Sequence, residues 1–239
     1  MATYLALCQK LASDSGTISG TLPSTVVGQT QRLAKIVRWT NDAWRSIQNA
    51  HGSWRWMRSD FAGQTVIGQR RYTGTDFGIS RLAEWIYSGM PEENRYSCYK
   101  TATGVADEGP LCFLDWDMFY ATKMRGPQTS GRPAYFTITP ENEIALAPLP
   151  DAAYTVRGPY RKDVQDLTVP AAIDASPDDN IPEMPVRFHD LIVDVALMML
   201  GTHDEAQVQV PLWRLRQLSL FSDLERDQLP RISMAGTLA

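Results

Sequence analysis

One stretch of the sequence decides the fold: Pro185-Val186-Arg187-Phe188-His189-Asp190-Leu191-Ile192-Val193-Asp194-Val195-Ala196-Leu197-Met198-Met199-Leu200-Gly201. Pro185 suits the first helical position, where a missing N–H costs nothing, and Gly201 suits a left-handed C-terminal cap. Between them the polar side chains form only a narrow stripe, Arg187, Asp190 and Asp194. A helix that is apolar around most of its circumference is normally buried on several sides, so the sequence predicts a central core helix.

Further helical patterns lie near both ends of the chain. Thr3 can cap a first helix that ends near residue 14, and a longer helix is predicted over residues 29–50. After the core helix another helix is predicted over residues 204–226, in which Pro211 introduces a kink or a restart. These segments can pack on the core helix to form a bundle.

The apolar period changes from 3.6 to 2 between residues 60 and 161, which is typical of short strands. The clearest hairpin joins residues 134–139 to 144–147, and a second candidate joins residues 65–67 to 71–73. Single strands are predicted over 81–87, 95–100 and 154–160, with a short helix over 115–124. The predicted fold class is α+β, a helical bundle built from the N- and C-terminal segments with an inserted antiparallel β-rich lobe.

These patterns place four regions along the chain. They are an N-terminal helical part (1–58), a β-rich insertion (59–162), a linker (163–184), and C-terminal helices with a tail (185–239). The linker is assigned because it is rich in Pro and Asp. We expect the last region to pack with the first.

Composition limits the classes of function. The chain has 239 residues, 44% of them hydrophobic, which indicates a globular protein. Its formal net charge of −4 argues against a simple nucleic-acid-binding module, whose affinity comes mainly from basic side chains. The three cysteines lack metal-type spacing, and we expect them to be reduced thiols in a cytoplasm.

Motifs for catalysis or for cofactors are missing from the sequence. It contains no H-E-x-x-H pair, no G-x-x-x-x-G-K-[ST] phosphate loop and no G-x-S-x-G nucleophile elbow. Carboxylates from different segments could still form a glycosidase pair, but no feature selects two of them. We therefore expect a structural protein with no catalytic residue, metal or cofactor.

Two segments carry more apolar surface than one helix face can bury. In the last predicted helix the apolar residues step by three, so each lags by about 60° and the stripe winds around the helix. Either this helix is enclosed within its own subunit or it also packs on a neighbouring subunit. In the second case the candidate subunit interface consists of Leu212, Leu215, Leu218, Phe221 and Leu224.

The tail, residues 229–239, has no acidic residue and several apolar ones. Chain ends usually fray unless something holds them, so a groove on a partner or on the protein's own helices should receive this tail. Its candidate anchors are Leu229, Pro230, Arg231, Ile232, Met234 and Leu238.

Aromatic and arginine residues alternate over residues 53–58. Such a segment could stack on bases or sugars, or it could pack its rings into the core with the arginines outward. We favour packing, because aromatic side chains gain much of their stabilisation by burial.

Several motifs follow one another over nearly the whole chain: Gly28-Gln29-Thr30, Asn41-Asp42-Ala43-Trp44, Trp54-Arg55-Trp56-Met57, Gly131-Arg132-Pro133, Pro148-Leu149-Pro150, Met184-Pro185-Val186-Arg187-Phe188-His189 and Leu224-Glu225-Arg226-Asp227-Gln228-Leu229-Pro230. In order and spacing they resemble the head–tail adaptor (connector) proteins of tailed bacteriophages. The sequence departs from that pattern at Asp190 and Asp194, where the resemblance leads us to expect apolar residues.

The resemblance implies a homo-oligomeric ring, a dodecamer, that binds beneath the portal protein and offers a platform to a tail or nozzle protein. It places the protein at the head–tail interface of the virion, and in the host cytoplasm before assembly. DNA would pass through the channel without sequence-specific binding, and no membrane or cofactor is implied. The tail anchors would then be portal-binding residues.

Two other classes of function remain open from the sequence. One is a tail-associated glycan-binding module that uses a tryptophan-rich β lobe, because aromatic rings can stack on sugars. The other is a cryptic hydrolase that acts on cell-wall polysaccharide.

Overall fold

The computed structural model describes residues 2–16, 22–87, 96–170, 175–203 and 210–229. The chain divides into two compact units: residues 1–56 with 164–239, the helical unit, and residues 57–163, the β unit. Helices come from the N- and C-terminal segments and the strands from the middle of the chain. The predicted α+β fold class is therefore confirmed.

The described residues contain five α-helices: α1 (Tyr4–Asp14), α2 (Gln31–Ala50), α3 (Trp116–Phe119), α4 (His189–His203) and α5 (Val210–Gln228). All except the short α3 belong to the helical unit. The hydroxyl of Thr3 accepts a hydrogen bond of 3.3 Å from the backbone N–H of Ala6, which confirms the predicted N-cap of α1.

Helix α4 lies at the centre of the helical unit. Ten of its fifteen residues are buried, and it packs against α1, α2 and α5. Leu191, Ile192 and Val193 are each 0% exposed, so the apolar surface extends around the helix as the sequence predicts. The prediction of a central core helix is confirmed.

The two ends of this helix differ from the prediction. A 3₁₀ turn at Val186–Phe188 precedes α4, and the helix continues beyond Gly201 to His203. Gly201 is therefore not a left-handed cap, and that prediction is wrong. A Cβ atom at Gly201 would lie 2.7 Å from Trp213 Cζ3 and 2.7 Å from Val210 Cγ2, so glycine is needed for the close approach of α5.

The β unit contains eleven short strands in its described residues: β1 (Arg58–Gln64), β2 (Arg71–Tyr72), β3 (Leu82–Trp85), β4 (Ser97–Lys100), β5 (Gly109–Pro110), β6 (Cys112–Phe113), β7 (Ser130–Gly131), β8 (Tyr135–Ile138), β9 (Ile144–Ala147), β10 (Leu149–Pro150) and β11 (Tyr154–Lys162). Strand β11 is central, because it pairs antiparallel with β1, β3 and β4, and β5 joins beyond β4. A second sheet has the order β2-β9-β8-β6, and β7 pairs with β10. Only β6–β8 and β7–β10 are parallel among these pairs.

One predicted hairpin is confirmed and the other is wrong. Strands β8 and β9 pair antiparallel across the turn at residues 140–143, where Asn142 has a φ of 61°. In contrast, β1 ends before Thr65 and β2 pairs with β9. The Tyr72 hydroxyl donates a hydrogen bond of 3.0 Å to the carbonyl of Val66, so residues 65–70 close as a turn and leave Val66 exposed.

The core of the β unit is mainly aromatic. Its largest cluster contains Phe61, Tyr72, Phe77, Ile79, Trp85, Tyr96, Cys98, Leu111, Phe136, Ile144, Leu146 and Val156. Rings pack face to face and edge to face, as in Phe61 on Phe77 with centroids 5.0 Å apart. The short strands form few hydrogen bonds with one another, so burial of this aromatic core supplies much of the stabilisation of the β unit.

The segment after the β unit is fastened to α2 by side-chain hydrogen bonds. The N–H of Gln165 donates to Gln48 Oε1 at 2.8 Å, and the N–H of Leu167 donates to Asn41 Oδ1 at 2.9 Å. Although burial raises the pKa of Asp166, hydrogen bonds from Thr168 and Asn41 bring it below its usual value. Asp166 thus helps to hold this segment on α2.

The aromatic segment after α2 packs inside the helical unit. Trp54 is 0% exposed, donates from Nε1 to the carbonyl of Ile47 at 3.0 Å, and stacks on Trp56 at 4.6 Å. Arg55 points outward and is exposed. The packing interpretation of this segment is confirmed over base or sugar stacking.

Candidate assembly surface

Helix α5 is the least enclosed long helix of the helical unit. Only Leu224 and Gln228 are buried among its nineteen residues. The large apolar side chains Leu212, Leu215 and Leu218 are 66%, 67% and 56% exposed. These three neighbouring leucines form an apolar face that the described residues leave exposed, which we call the leucine face.

The five residues of the predicted apolar stripe do not share one environment. The first three form the leucine face, Phe221 is half-buried, and Leu224 is 0% exposed. Twelve residues at about 100° each leave about 120° between Leu212 and Leu224, so the stripe turns from solvent into the protein's own core. Leu224 thus holds α5 in place and is not available to a neighbouring subunit.

Contacts with the rest of the helical unit fix the C-terminal half of α5. His51 Nε2 lies 2.6 Å from Glu225 Oε1, and Arg187 pairs with Asp227. The ring of Phe221 lies 6.0 Å from that of His51. The leucine face therefore lies in the N-terminal half of α5, whereas contacts with the helical unit hold the C-terminal half in place.

A buried carboxylate holds the middle of α5. Arg216 Nε lies 2.9 Å from Oδ2 of Asp194, which is 0% exposed on α4. Neither carboxylate oxygen has a partner in hydrogen-bond geometry among the described residues, so the contact is mainly ionic. Burial raises the pKa of Asp194 to about 6, although the charge of Arg216 opposes this shift.

The two aspartates of α4 thus differ in their surroundings. Asp190 is about half exposed, and its Oδ1 lies 2.6 Å from the ammonium of Lys10 on α1. Asp194 lies one turn later and is fully buried beneath Arg216. The sequence places both in the same polar stripe and does not show which cation reaches which carboxylate.

The proposed portal anchors fall mostly outside the described residues. Leu229 follows α5 directly and is half-buried. The other anchors, Pro230, Arg231, Ile232, Met234 and Leu238, lie outside the described part of the chain.

The described residues offer no obvious centre for catalysis. Among them no group of three or more His, Cys, Asp or Glu residues is placed to hold a metal ion. Burial raises the pKa of the Cys8 thiol to about 12 and also raises that of Cys98, so neither is an activated nucleophile. His189 is 2% exposed, its Nε2 lies 3.1 Å from the carbonyl of Met184, and burial lowers its pKa.

The tryptophans do not form a sugar-stacking platform in the β unit. Of the seven in the sequence, only Trp85 and Trp116 belong to this unit, so it is not tryptophan-rich as predicted. Trp85 is 1% exposed and donates to the carbonyl of Asn142 at 3.0 Å. Arg71 lies 5.6 Å from the ring of the half-buried Trp116.

No helix among the described segments combines the length and apolarity needed to cross a membrane.

Among the described residues, the most prominent accessible feature is thus the apolar leucine face of α5. A family model described as SU10 adaptor protein matches residues 2–237, so the chain belongs to that family of phage head–tail adaptors. This membership confirms the resemblance read from the sequence motifs. No curated protein matches the chain.

Proposed function

We propose that this phage adaptor forms a ring of twelve copies that joins the portal protein to the tail and surrounds the DNA exit channel. The observation that carries the proposal is the leucine face of α5 in a chain that belongs to an adaptor family. The protein would act at the head–tail interface of the virion, after synthesis in the host cytoplasm. A tail or nozzle protein would bind the other side of the ring.

The leucine face suits a contact between copies. A fully buried leucine contributes about 1.5–3 kcal/mol, so three exposed leucines leave a substantial gain unrealised in a single chain. Phe221 marks the inner limit of this surface, because it is already half covered by His51 and Trp54. The subunit interface would therefore centre on Leu212, Leu215 and Leu218.

The tail would make the contact with the portal. Four apolar anchors, Leu229, Ile232, Met234 and Leu238, offer a gain that is opposed by ordering about eleven residues at about 1–2 kcal/mol each. A single tail should therefore bind weakly, and repetition around a ring would multiply its effect. Arg231 would add a charge contact that weakens as salt rises.

DNA would pass through the channel without being read. The formal net charge of −4 supports this, because a strongly basic chain would hold the phosphate backbone and oppose movement.

Particle mass in solution tests the ring. We expect a discrete increase when the protein is mixed with purified portal at micromolar concentration, and loss of this increase in Leu215→Ser. Ile67→Ser is the matched control, because Ile67 is equally exposed (67%) on the β unit. A wild-type protein that never associates with portal, or a Leu215→Ser protein that assembles like the control, contradicts the proposal.

Deletion of residues 229–239 tests the tail. If the tail docks on the portal, the truncated protein keeps its melting temperature but loses portal binding. If the tail instead folds back on its own helices, the truncated protein melts earlier. Retained portal binding after deletion would rule out the proposed anchors.

A further inference from the structure

A small basic cavity lies in the β unit, away from α5 in the sequence and unused by the proposed ring contacts. It has a volume of about 180 Å³ and is lined by ten residues, among them Arg70, Lys123 and Arg125. None of the ten is Asp or Glu. The cavity therefore gathers three positive charges with no acidic residue in its wall.

These three cations also lack carboxylate partners elsewhere in the described residues. The neighbouring Arg71 shows the usual alternative, since its Nη1 lies 3.6 Å from Glu141 and 3.7 Å from Glu143. No ion pair among the described residues includes Arg70, Lys123 or Arg125. Uncompensated charges in a concave site attract anions, because low-dielectric walls focus their field.

Internal contacts hold the cations in the wall. Arg70 donates from Nη1 to the carbonyl of Lys123 at 2.7 Å and from Nη2 to Gln128 Oε1. Arg70 is half-buried, and this burial lowers the pKa of its guanidinium. The two hydrogen bonds therefore hold the charged side chain of Arg70 in place in the cavity wall.

The other two cations rest on aromatic rings. Lys123 Nζ lies 4.1 Å from the ring centroid of Tyr135, and the guanidinium of Arg125 lies 5.4 Å from that of Tyr120. A cation over a ring face is held without losing its charge, so its N–H groups can still donate to a ligand. Tyr120 is itself 44% exposed beside Arg125.

We infer that this cavity binds phosphate groups, and that its ligand is the phosphodiester backbone of DNA. One carboxylate would neutralise only one of the three charges, whereas successive phosphates present several. An ammonium and a guanidinium together also suit phosphate oxygens, as a point charge and a planar fork. The choice of DNA rests on the proposed function, in which DNA passes this protein; the affinity for phosphate rests on the cavity alone.

Binding of this kind would be weak and independent of sequence. Each phosphate contact contributes about −0.9 to the slope of log affinity against log salt, so three contacts predict a slope near −3. Such a site would hold the DNA backbone only weakly, and it would release the DNA as the salt concentration rises.

The test measures binding of a short DNA duplex to the full-length protein by fluorescence anisotropy over a range of salt concentrations. We expect Lys123→Gln to weaken binding about ten-fold at about 50 mM salt and to reduce the slope by about one. Lys100→Gln removes an exposed lysine of the same unit and should leave both values unchanged. Arg125→Gln and Arg58→Gln form a second matched pair with the same expectation.

Two further probes identify the source of the phosphate. If pyrophosphate binds in a Lys123-dependent manner and the duplex does not, the DNA assignment is overturned and a free phosphate compound replaces it. If only a glutamate-rich peptide binds, an acidic protein partner replaces phosphate altogether. Duplex binding that is equal in Lys123→Gln and Lys100→Gln overturns the site. None of these measurements needs portal or ring formation, so failure of the ring proposal would not affect their outcome.

Discussion

Helices α4 and α5 are both long and rich in apolar residues, yet one is enclosed and the other is not. Ten of fifteen residues are buried in α4 and two of nineteen in α5. The difference comes from spacing. In α4 apolar residues occupy nearly the whole circumference, whereas in α5 they step by three and wind from solvent into the core.

This difference separates folding from assembly. Burial of α4 between α1, α2 and α5 supplies apolar stabilisation within one chain. The leucine face of α5 contributes little to that stability, because it stays in water. We therefore expect substitutions in α4 to act on the folding of the subunit and those in the leucine face to act on association.

The same substitution in the two helices should give the largest contrast. Leu191→Ala removes a side chain that is 0% exposed in α4, and should lower the free energy of unfolding by about 2–5 kcal/mol. Leu215→Ala, at 67% exposure, should change it by no more than about 0.5 kcal/mol. Denaturant unfolding of the free protein measures both. Equal losses would show that α5 is already covered in the free subunit.

The next contrast concerns the buried carboxylate of α4. Its pKa of about 6 lies above the ordinary value of 3.8, so the folded state binds a proton more readily than the unfolded state. Stability from this group is therefore present below about pH 4 and is lost as pH rises towards 6. Asp194→Asn should remove that loss, and its stability relative to wild type should rise by up to about 3 kcal/mol from pH 4 to 7.

Stability measured against pH in both proteins checks this expectation. The comparison with wild type matters, because Asp190, Lys10, Asp14 and Arg216 also act on the buried group. Their contributions largely cancel in the difference between the two proteins. A difference that stays flat would mean that the pKa of Asp194 is the same in the folded and unfolded states, and a difference that falls with rising pH would mean that folding lowers this pKa.

A smaller effect should arise where the two helices meet. Gly201→Ala adds a methyl group that lies 2.7 Å from the Trp213 ring, and crowding of this kind costs about 1–3 kcal/mol. Alanine is the better helix former by about 1 kcal/mol, so the net loss should be near 1 kcal/mol. In a double-mutant cycle, Trp213→Ala should relieve only part of this loss, because Val210 Cγ2 would lie equally close to the added methyl group. A stabilised Gly201→Ala protein would show that α5 shifts freely on α4.

Much of the architecture follows from patterns within single segments. The period of apolar residues predicts α4 as a core helix and places strands between the helical ends. The hairpin β8–β9 is predicted because turn residues separate two apolar runs. The run at residues 65–67 carries the same local signal, yet Tyr72 closes it as a turn. That outcome depends on pairing of β1 with β11, nearly a hundred residues away in the sequence.

The candidate surfaces are harder to predict from sequence patterns within single segments. The winding of the α5 stripe predicts that one side cannot bury it, but not that Leu212 faces water while Leu224 faces the core. An aspartate in an apolar helix indicates that a cationic partner is needed, but only the structure identifies Arg216 as the partner of Asp194. The basic cavity is harder still to predict, because Arg70 and Lys123 lie 53 residues apart in the sequence.

The smallest effect should come from the other carboxylate of α4. Asp190 and Lys10 are both substantially exposed, and exposed ion pairs contribute about 0–1 kcal/mol because water and salt screen them. Asp190→Asn should therefore lower stability by less than about 1 kcal/mol at low salt, and by almost nothing at about 1 M salt, where the Debye length is about 3 Å. Thermal unfolding at the two salt concentrations measures this change, with Asp194→Asn as the comparison one helical turn away. The difference in stability between that variant and wild type should depend mainly on pH and little on salt, since the surroundings of Asp194 exclude the ions that screen the surface pair. If both variants respond equally to salt, the environment of Asp194 is more open than its 0% exposure indicates.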